Sequence, residues 1–146
     1  MPIIHSALTH PTKKIKISLL FAAQTPEELY FKDELDHLAK TFGGRFVVSY
    51  AIDKLPAGST GTEVAPWTGQ VGFANADMLK GLLPAPQPQS EAPLEGSPRK
   101  SIVLVCGPEV MVKHVAGTRG MSGQEPVRGV LGAMGYQRSQ VFRFPN

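Results

Sequence analysis

The chain has 146 residues, 42% of them hydrophobic and 18% charged, enough for one globular domain with a moderate core. A formal charge of +3 and a pI near 9.1 are mildly basic, but Lys and Arg are scattered singly apart from Lys13-Lys14-Ile15-Lys16 and Arg99-Lys100, with no interleaved aromatics, which argues against nucleic-acid binding. One cysteine excludes an internal disulfide framework and fits a reducing compartment, and no apolar run approaches the roughly 20 residues that span a bilayer.

In chain order, Ile3, Ile4, Ala7 and Leu8 recur at helical spacing, so residues 1–8 read as helix, followed by a loop over Thr9 to Lys14. No presequence-like segment opens the chain, and nothing caps Pro2. Ile15 to Ala23 reads as a buried strand. A second helix is well signalled: Thr25 stands at the cap position, Pro26 at the first helical position, and Glu28 completes a capping box. Its apolar face runs through Leu29, Leu35, Leu38 and Phe42, and Gly43-Gly44 closes it. Phe46 to Ile52 is the next strand.

Residues 54–69, rich in Pro, Gly, Ser and Thr and carrying the only tryptophan, Trp67, read as loop. Asn75 is the expected cap of a short helix over Ala76 to Leu83, with Asp77 near its positive end. Residues 84–100 are proline-rich and read as an extended, flexible excursion. Ser101 to Cys106 is a strand, its run of apolar residues implying cover on both faces. Helices follow over Pro108 to Val115 and Pro126 to Met134, with a glycine-rich loop over Ala116 to Gln124 between them. Gln140 to Phe144 is the last strand. Strands alternating with helices call for a parallel sheet with right-handed crossovers, an α/β fold.

In open α/β sheets, ligands bind in the crevice outside the carboxyl ends of the strands. Cys106 falls there. Gly107 lets a ligand approach the backbone closely, and Pro108 suits the first position of a helix whose free N–H groups favour an anion. The four histidines show no metal-ligand spacing with one another or with Cys106, and no metal is expected. Gly120-Met-Ser-Gly123 half-matches a nucleophile elbow, but Gln124 stands where the second glycine belongs. There is no P-loop.

The runs Leu19-Leu-Phe-Ala-Ala-Gln24-Thr25, Tyr50-Ala-Ile-Asp53, Gly69-Gln-Val-Gly72-Phe73, Ala76-Asp-Met78, Val103-Leu-Val-Cys106-Gly107-Pro108 and Val141-Phe-Arg-Phe144 occur in order across nearly the whole chain. This set resembles the pyridine-nucleotide-binding domain of the ferredoxin-NADP reductase superfamily, within it the cytochrome-b5 reductase group. The stretch from His114 to Leu131 is longer than usual there and looks more like a fungal mitochondrial branch associated with cytochrome c maturation.

The resemblance implies a three-layer Rossmann-like parallel sheet with helices on both faces. It also implies hydride transfer from NADH, or NADPH, to FAD, with electrons passed on to a haem protein or similar acceptor. By it, Cys106 sits at the nicotinamide ring, Gly107, Pro108 and Met111 line that pocket, and Gln24, Thr25 and Phe73 touch the adenosine side. Asp53 accepts from the adenosine ribose and repels a 2′-phosphate, which favours NADH. Phe142 and Phe144 end the chain near the flavin. Glu109-Val110 departs from the family's prolines and brings a carboxylate near an anionic coenzyme.

Residues 1–146 thus read as a partial nucleotide-binding domain. The family's first strand, central in the order 3-2-1-4-5, its glycine-rich turn and the flavin-binding barrel are expected to lie ahead of Met1. Their absence leaves the Ile15 and Ser101 strands without a shared neighbour, and the chain alone is expected to bind no flavin and to be inactive. Mitochondrial or membrane-attached, cytosol-facing placement is what the family implies. The alternative is a non-catalytic nucleotide-binding or protein-interaction module using exposed sheet edges. Each site residue also has a plainer role: Cys106 as a small buried hydrophobe, Asp53 as a turn residue, Thr25 as a helix cap, Phe142 and Phe144 as core.

Overall fold

Two seven-residue segments free of charge, proline and glycine, Ile17–Ala23 (β1) and Phe46–Ile52 (β2), pair in parallel with Ile17 opposite Phe46 and Ala23 opposite Ile52. In a strand alternate residues share a face, so Ile17, Leu19, Phe21 and Ala23 align with Phe46, Val48, Tyr50 and Ile52 on one side of the sheet. Helix α1 (Pro2–Thr9) brings Leu8 to that side and α2 (Lys32–Thr41) brings Leu35, and these with Leu29 form the core. A two-residue strand, Gln70–Val71 (β3), adds to the far side of β2, again parallel.

The computed structural model describes residues 2–12, 14–55, 67–86, 101–121 and 125–145. By its internal contacts the chain forms two units, Met1–Ala74 and Asn75–Asn146. Residues 56–66 of the predicted loop, 87–100 of the proline-rich stretch and 122–124, including Ser122 of the half-matched elbow, lie outside the description.

The second unit holds α3 (Ala76–Lys80), β4 (Val103–Val105), α4 (Glu109–Ala116), α5 (Gly129–Ala133) and β5 (Val141–Arg143). Strands β4 and β5 pair in parallel, Val103 with Val141 and Val105 with Arg143. Val103, Val105 and Val141 are buried together with Val112, Val115 and Ala116 of α4 and Leu131 of α5. Tyr136 is also buried; its hydroxyl donates to the Pro84 carbonyl, and burial raises its pKa above the ordinary value.

The parallel α/β reading holds. Strands β1, β2 and β3 form the sheet of the first unit, and β4 and β5 that of the second. Several local expectations are corrected. Cover is expected on both faces of the Ser101 strand, but among the described residues Leu104 is 47% exposed and its neighbour Phe142 49%, so β4 alternates and these residues pack one face only. Phe142 is therefore not core. Phe144, half-buried, packs edge-to-face on it with ring centroids 5.0 Å apart.

The second helix starts later than its capping signal. Pro26–Glu28 form only a 3-10 turn, Thr25 makes no side-chain cap, and Glu28 Oε2 accepts from the Gln24 N–H at 3.0 Å rather than from Thr25. Leu29 and Leu35 are six residues apart, about 120° out of phase on a continuous helix. Both are buried, and the break after Leu29 lets both reach one core.

Residues 70–71, assigned no element from the sequence, are a short strand. The Asn75 cap is present, its Oδ1 accepting from the Met78 N–H at 3.1 Å, but the helix ends at Lys80, short of Leu83. The last helix begins at Gly129 instead of Pro126. Gly129 has φ +62°, and a Cβ there would lie 2.2 Å from the His114 carbonyl oxygen, so the chain turns tightly against the end of α4 before helix can form.

One polar latch ties α2 to β2. The Tyr50 hydroxyl donates to Asp36 Oδ1 at 2.7 Å and stands 3.2 Å from the Lys32 carbonyl oxygen. Lys32 Nζ lies 2.6 Å from Asp36 Oδ2 and 5.0 Å from the Tyr50 ring centroid. Burial pushes the Asp36 carboxyl up, but the hydrogen bonds from Lys32 and Tyr50, with the Lys32 and Lys40 charges, outweigh it and leave its pKa below the ordinary value. Burial, then the bond to Asp36, holds the Tyr50 hydroxyl well above its ordinary range.

Candidate functional site

Parallel strands put all their carboxyl ends on one edge of a sheet, and in the first unit that edge gathers the residues expected on the adenosine side. Gln24 and Thr25 follow β1 directly. Asp53 follows β2, and its N–H donates to the Ala23 carbonyl at 3.1 Å, which holds the two strand ends together. Gly72 follows β3 and donates to the Ile52 carbonyl at 2.7 Å, so Phe73, 70% exposed, leaves the sheet beside Asp53's strand. Asp53 is half-buried. Glu28, bonded to the Gln24 amide, adds a second carboxylate here. The edge can accept hydrogen bonds from ribose hydroxyls and offer Phe73 as an apolar surface, while its negative charge opposes an added phosphate.

The second unit holds the residues expected at the nicotinamide. Cys106 follows β4 and its thiol is exposed, so the buried-hydrophobe role does not apply. Pro108 is the residue that flanks α4, one place earlier than expected, and the helix begins at Glu109. Gly107 has φ +150°, and a Cβ there would meet Met111 Cε at 2.1 Å. The methionine methyl therefore lies over the glycine backbone, and a side chain at residue 107 would displace that flexible methyl and adopt a φ that suits glycine. The Phe144 N–H donates to the Val105 carbonyl at 3.0 Å, which places Phe144 at the same end as Cys106.

Glu109, in the first turn of α4, is exposed. Its charge is favourable to its own helix and unfavourable to a neighbouring phosphate. Among the described residues no group of three or more His, Cys, Asp or Glu could hold a metal ion. No helix among them is long and apolar enough to cross a membrane.

Sequence reasoning missed Arg143. It lies at a helix-facing position of β5, beside Val105, and its guanidinium donates to three backbone carbonyls: Nη1 to Ala116 at 3.1 Å and Thr118 at 2.9 Å, Nη2 to Glu125 at 2.9 Å. The available signal was parity: in Val141-Phe-Arg, the arginine shares a face with the buried valine.

A family model described as the oxidoreductase NAD-binding domain matches residues 2–117. Curated relatives include NADH-cytochrome b5 reductase 2 of Mycosarcoma maydis, 31% identical over 143 residues, which are 97% of this chain and 36% of that protein. The protein of the same name from Coccidioides immitis is 33% identical over 143 residues, covering 97% of this chain and 38% of its own length. The chain thus spans well under half of the curated relatives it matches. Among solved structures, the cytochrome b5 reductase domain of Ulva prolifera nitrate reductase shares the fold at a TM-score of 0.69 and 24% identity, over 97% of this chain and 42% of that one. The CS-b5R domains of human Ncb5or, in their NAD+ form, do so at 0.62 and 19%, over 99% and 32%.

Proposed function

We propose that this chain, which belongs to the oxidoreductase NAD-binding domain family, is the nicotinamide-coenzyme-binding part of a flavin-dependent NADH oxidoreductase of the cytochrome-b5 reductase kind. The observation that carries the reading is the placement of Gln24, Thr25, Asp53 and Phe73 at the carboxyl edge of one sheet and of Cys106, Gly107 and Phe144 at that of the other. Both are edges where α/β folds bind nucleotides.

In this reading Asp53 accepts from the adenosine ribose and disfavours NADPH. Gly107 and Met111 form the cradle at the nicotinamide, and the Cys106 thiol meets the ring. Placement is the contribution of these residues, since hydride transfer needs near-contact geometry. The flavin, when present, supplies the acceptor for the hydride and the onward one-electron chemistry. The haem-protein acceptor and a mitochondrial or membrane-attached setting belong to the same proposal. The curated relatives are more than twice as long as this chain, which supports the view that the polypeptide alone binds coenzyme weakly and does not turn over.

The test is an amide-detected NMR titration of the purified chain with NAD+ and NADP+, beside an NADH–ferricyanide assay. Saturable shifts at Gln24, Asp53 and Gly107, stronger with NAD+, and no turnover are expected. Shifts confined to other residues, or yellow colour with turnover, refute the reading. A second reading, an interaction module, draws on the exposed apolar residues Ile102, Leu104 and Phe142 along one face of β4 and β5. A discrete complex that forms without any coenzyme response would favour it.

A further inference from the structure

Strand β4, α4 and β5 form a closed circuit of backbone bonds, and Arg143 completes it. From Val105 the chain passes through Cys106 and Gly107 into α4, whose C-terminal end presents the Ala116 carbonyl. That carbonyl, with those of Thr118 and Glu125, receives the Arg143 guanidinium at 2.9 to 3.1 Å. One residue on from Arg143, the Phe144 N–H returns to the Val105 carbonyl at 3.0 Å.

A guanidinium suits the task for two reasons. Its fork satisfies several acceptors at once, and its charge sits against the negative end of α4. Lysine keeps the charge but lacks the planar fork. The chain around the arginine has little slack, since a Cβ at Gly117 would lie 2.8 Å from Arg128 Cβ and one at Gly129 2.2 Å from the His114 oxygen. A shift of the α4 end is therefore carried back along the helix to Met111 and Gly107, and along β5 to Phe144.

We infer that Arg143 is a positioning residue for the Cys106–Gly107 turn and Phe144, acting through the carbonyls of Ala116, Thr118 and Glu125 without touching the coenzyme. The inference rests on the reading of that turn as the nicotinamide end.

The experiment uses the full chain, Arg143→Lys and Arg143→Met, studied where each is folded by near-UV circular dichroism and amide dispersion. Two readouts are taken. In the NAD+ titration, the folded Arg143→Met variant is expected to bind at least tenfold more weakly and Arg143→Lys to fall between, with Gly107 shifted in both before ligand is added. A purely structural role would lower the melting temperature and leave the folded protein's affinity and Gly107 shift unchanged; that result overturns the inference. In the second readout, the rate of Cys106 modification by a neutral aromatic disulfide is expected to change severalfold in Arg143→Met without any coenzyme. If wild type shows no NAD+ response but the thiol rate changes, the coenzyme reading fails and the positioning stands. An unchanged thiol rate and Gly107 shift in a folded variant refute the positioning itself. If Arg143→Met prevents folding, Arg143→Lys carries both readouts.

Discussion

Tyr50→Phe removes one oxygen and leaves the ring that packs in the core of the first unit, so its effect isolates the polar latch between β2 and α2. The bond lost is the 2.7 Å donation to Asp36 Oδ1, a charged acceptor, and such bonds contribute about 1.5–3 kcal/mol. The Lys32–Asp36 pair adds little, because its side chains are 43% and 35% exposed and surface pairs at this spacing contribute a few tenths of a kcal/mol. A loss of about 2 kcal/mol at neutral pH is therefore expected from Tyr50→Phe and under ~0.5 from Lys32→Met, by urea unfolding followed in the far ultraviolet.

The pH dependence has a definite sign. Asp36 has a depressed pKa in the folded chain, so its contribution is present above its ordinary value of 3.8 and is lost as pH falls through the lower folded value. Tyr50 has a raised pKa, so its contribution is present below its ordinary value of 10.0 and lost as pH rises beyond it. The difference between wild type and Tyr50→Phe should thus be flat near neutrality. It should shrink to about 1 kcal/mol, the worth of a neutral hydrogen bond, once Asp36 is protonated. A difference that is unchanged at low pH, or absent at neutral pH, would refute the charged-acceptor account.

Leu131 is fully buried against α4, and Leu131→Ala should cost about 2–5 kcal/mol, read as faster amide exchange in α4 and β5. Asn75→Ala removes the acceptor for the Met78 N–H and should destabilise α3 by about 1 kcal/mol; loss of protection at the Met78 amide is the measure. Asp53→Ser removes the charge proposed to repel a 2′-phosphate. NADP+ affinity should rise about tenfold relative to NAD+, a difference of ~1.4 kcal/mol by competition titration. Unchanged selectivity would remove Asp53 from the ribose site.

Legibility in the sequence followed the range of the forces involved. Strand Phe46–Ile52 is legible at both ends because its apolar run lies between the Gly43-Gly44 stop and the loop after Asp53, all local signals. The Asn75 cap likewise needed only its own neighbours. The Pro26 helix was misread because Thr25, Pro26 and Glu28 form a complete local signature, yet burial of both Leu29 and Leu35 decides the backbone, and that preference appears only when the core is assembled. Strand Gln70–Val71 carries no local pattern at all. It is a strand because Ala51 and Ile52 offer it a partner. The exposure of Leu104 belongs to the same class, since an apolar run reads identically whether one or both faces are covered.

The candidate site was more legible than its support, and the reason is geometric. A parallel sheet places every strand's last residue on one edge, so Cys106 needs only the end of the Ser101 strand, whereas Gln24, Thr25, Asp53 and Phe73 rest on the family resemblance, Phe73 following a strand that the sequence does not announce. What holds those ends in place is set by contacts across many residues: Ala23 to Asp53, Ile52 to Gly72, Val105 to Phe144. Arg143 reaches 27 positions back to Ala116. Periodicity cannot announce such contacts; a charged residue at the parity of a buried one is the trace they leave. That trace separates a residue that merely occupies the surface from one whose hydrogen bonds hold the C-terminal end of α4.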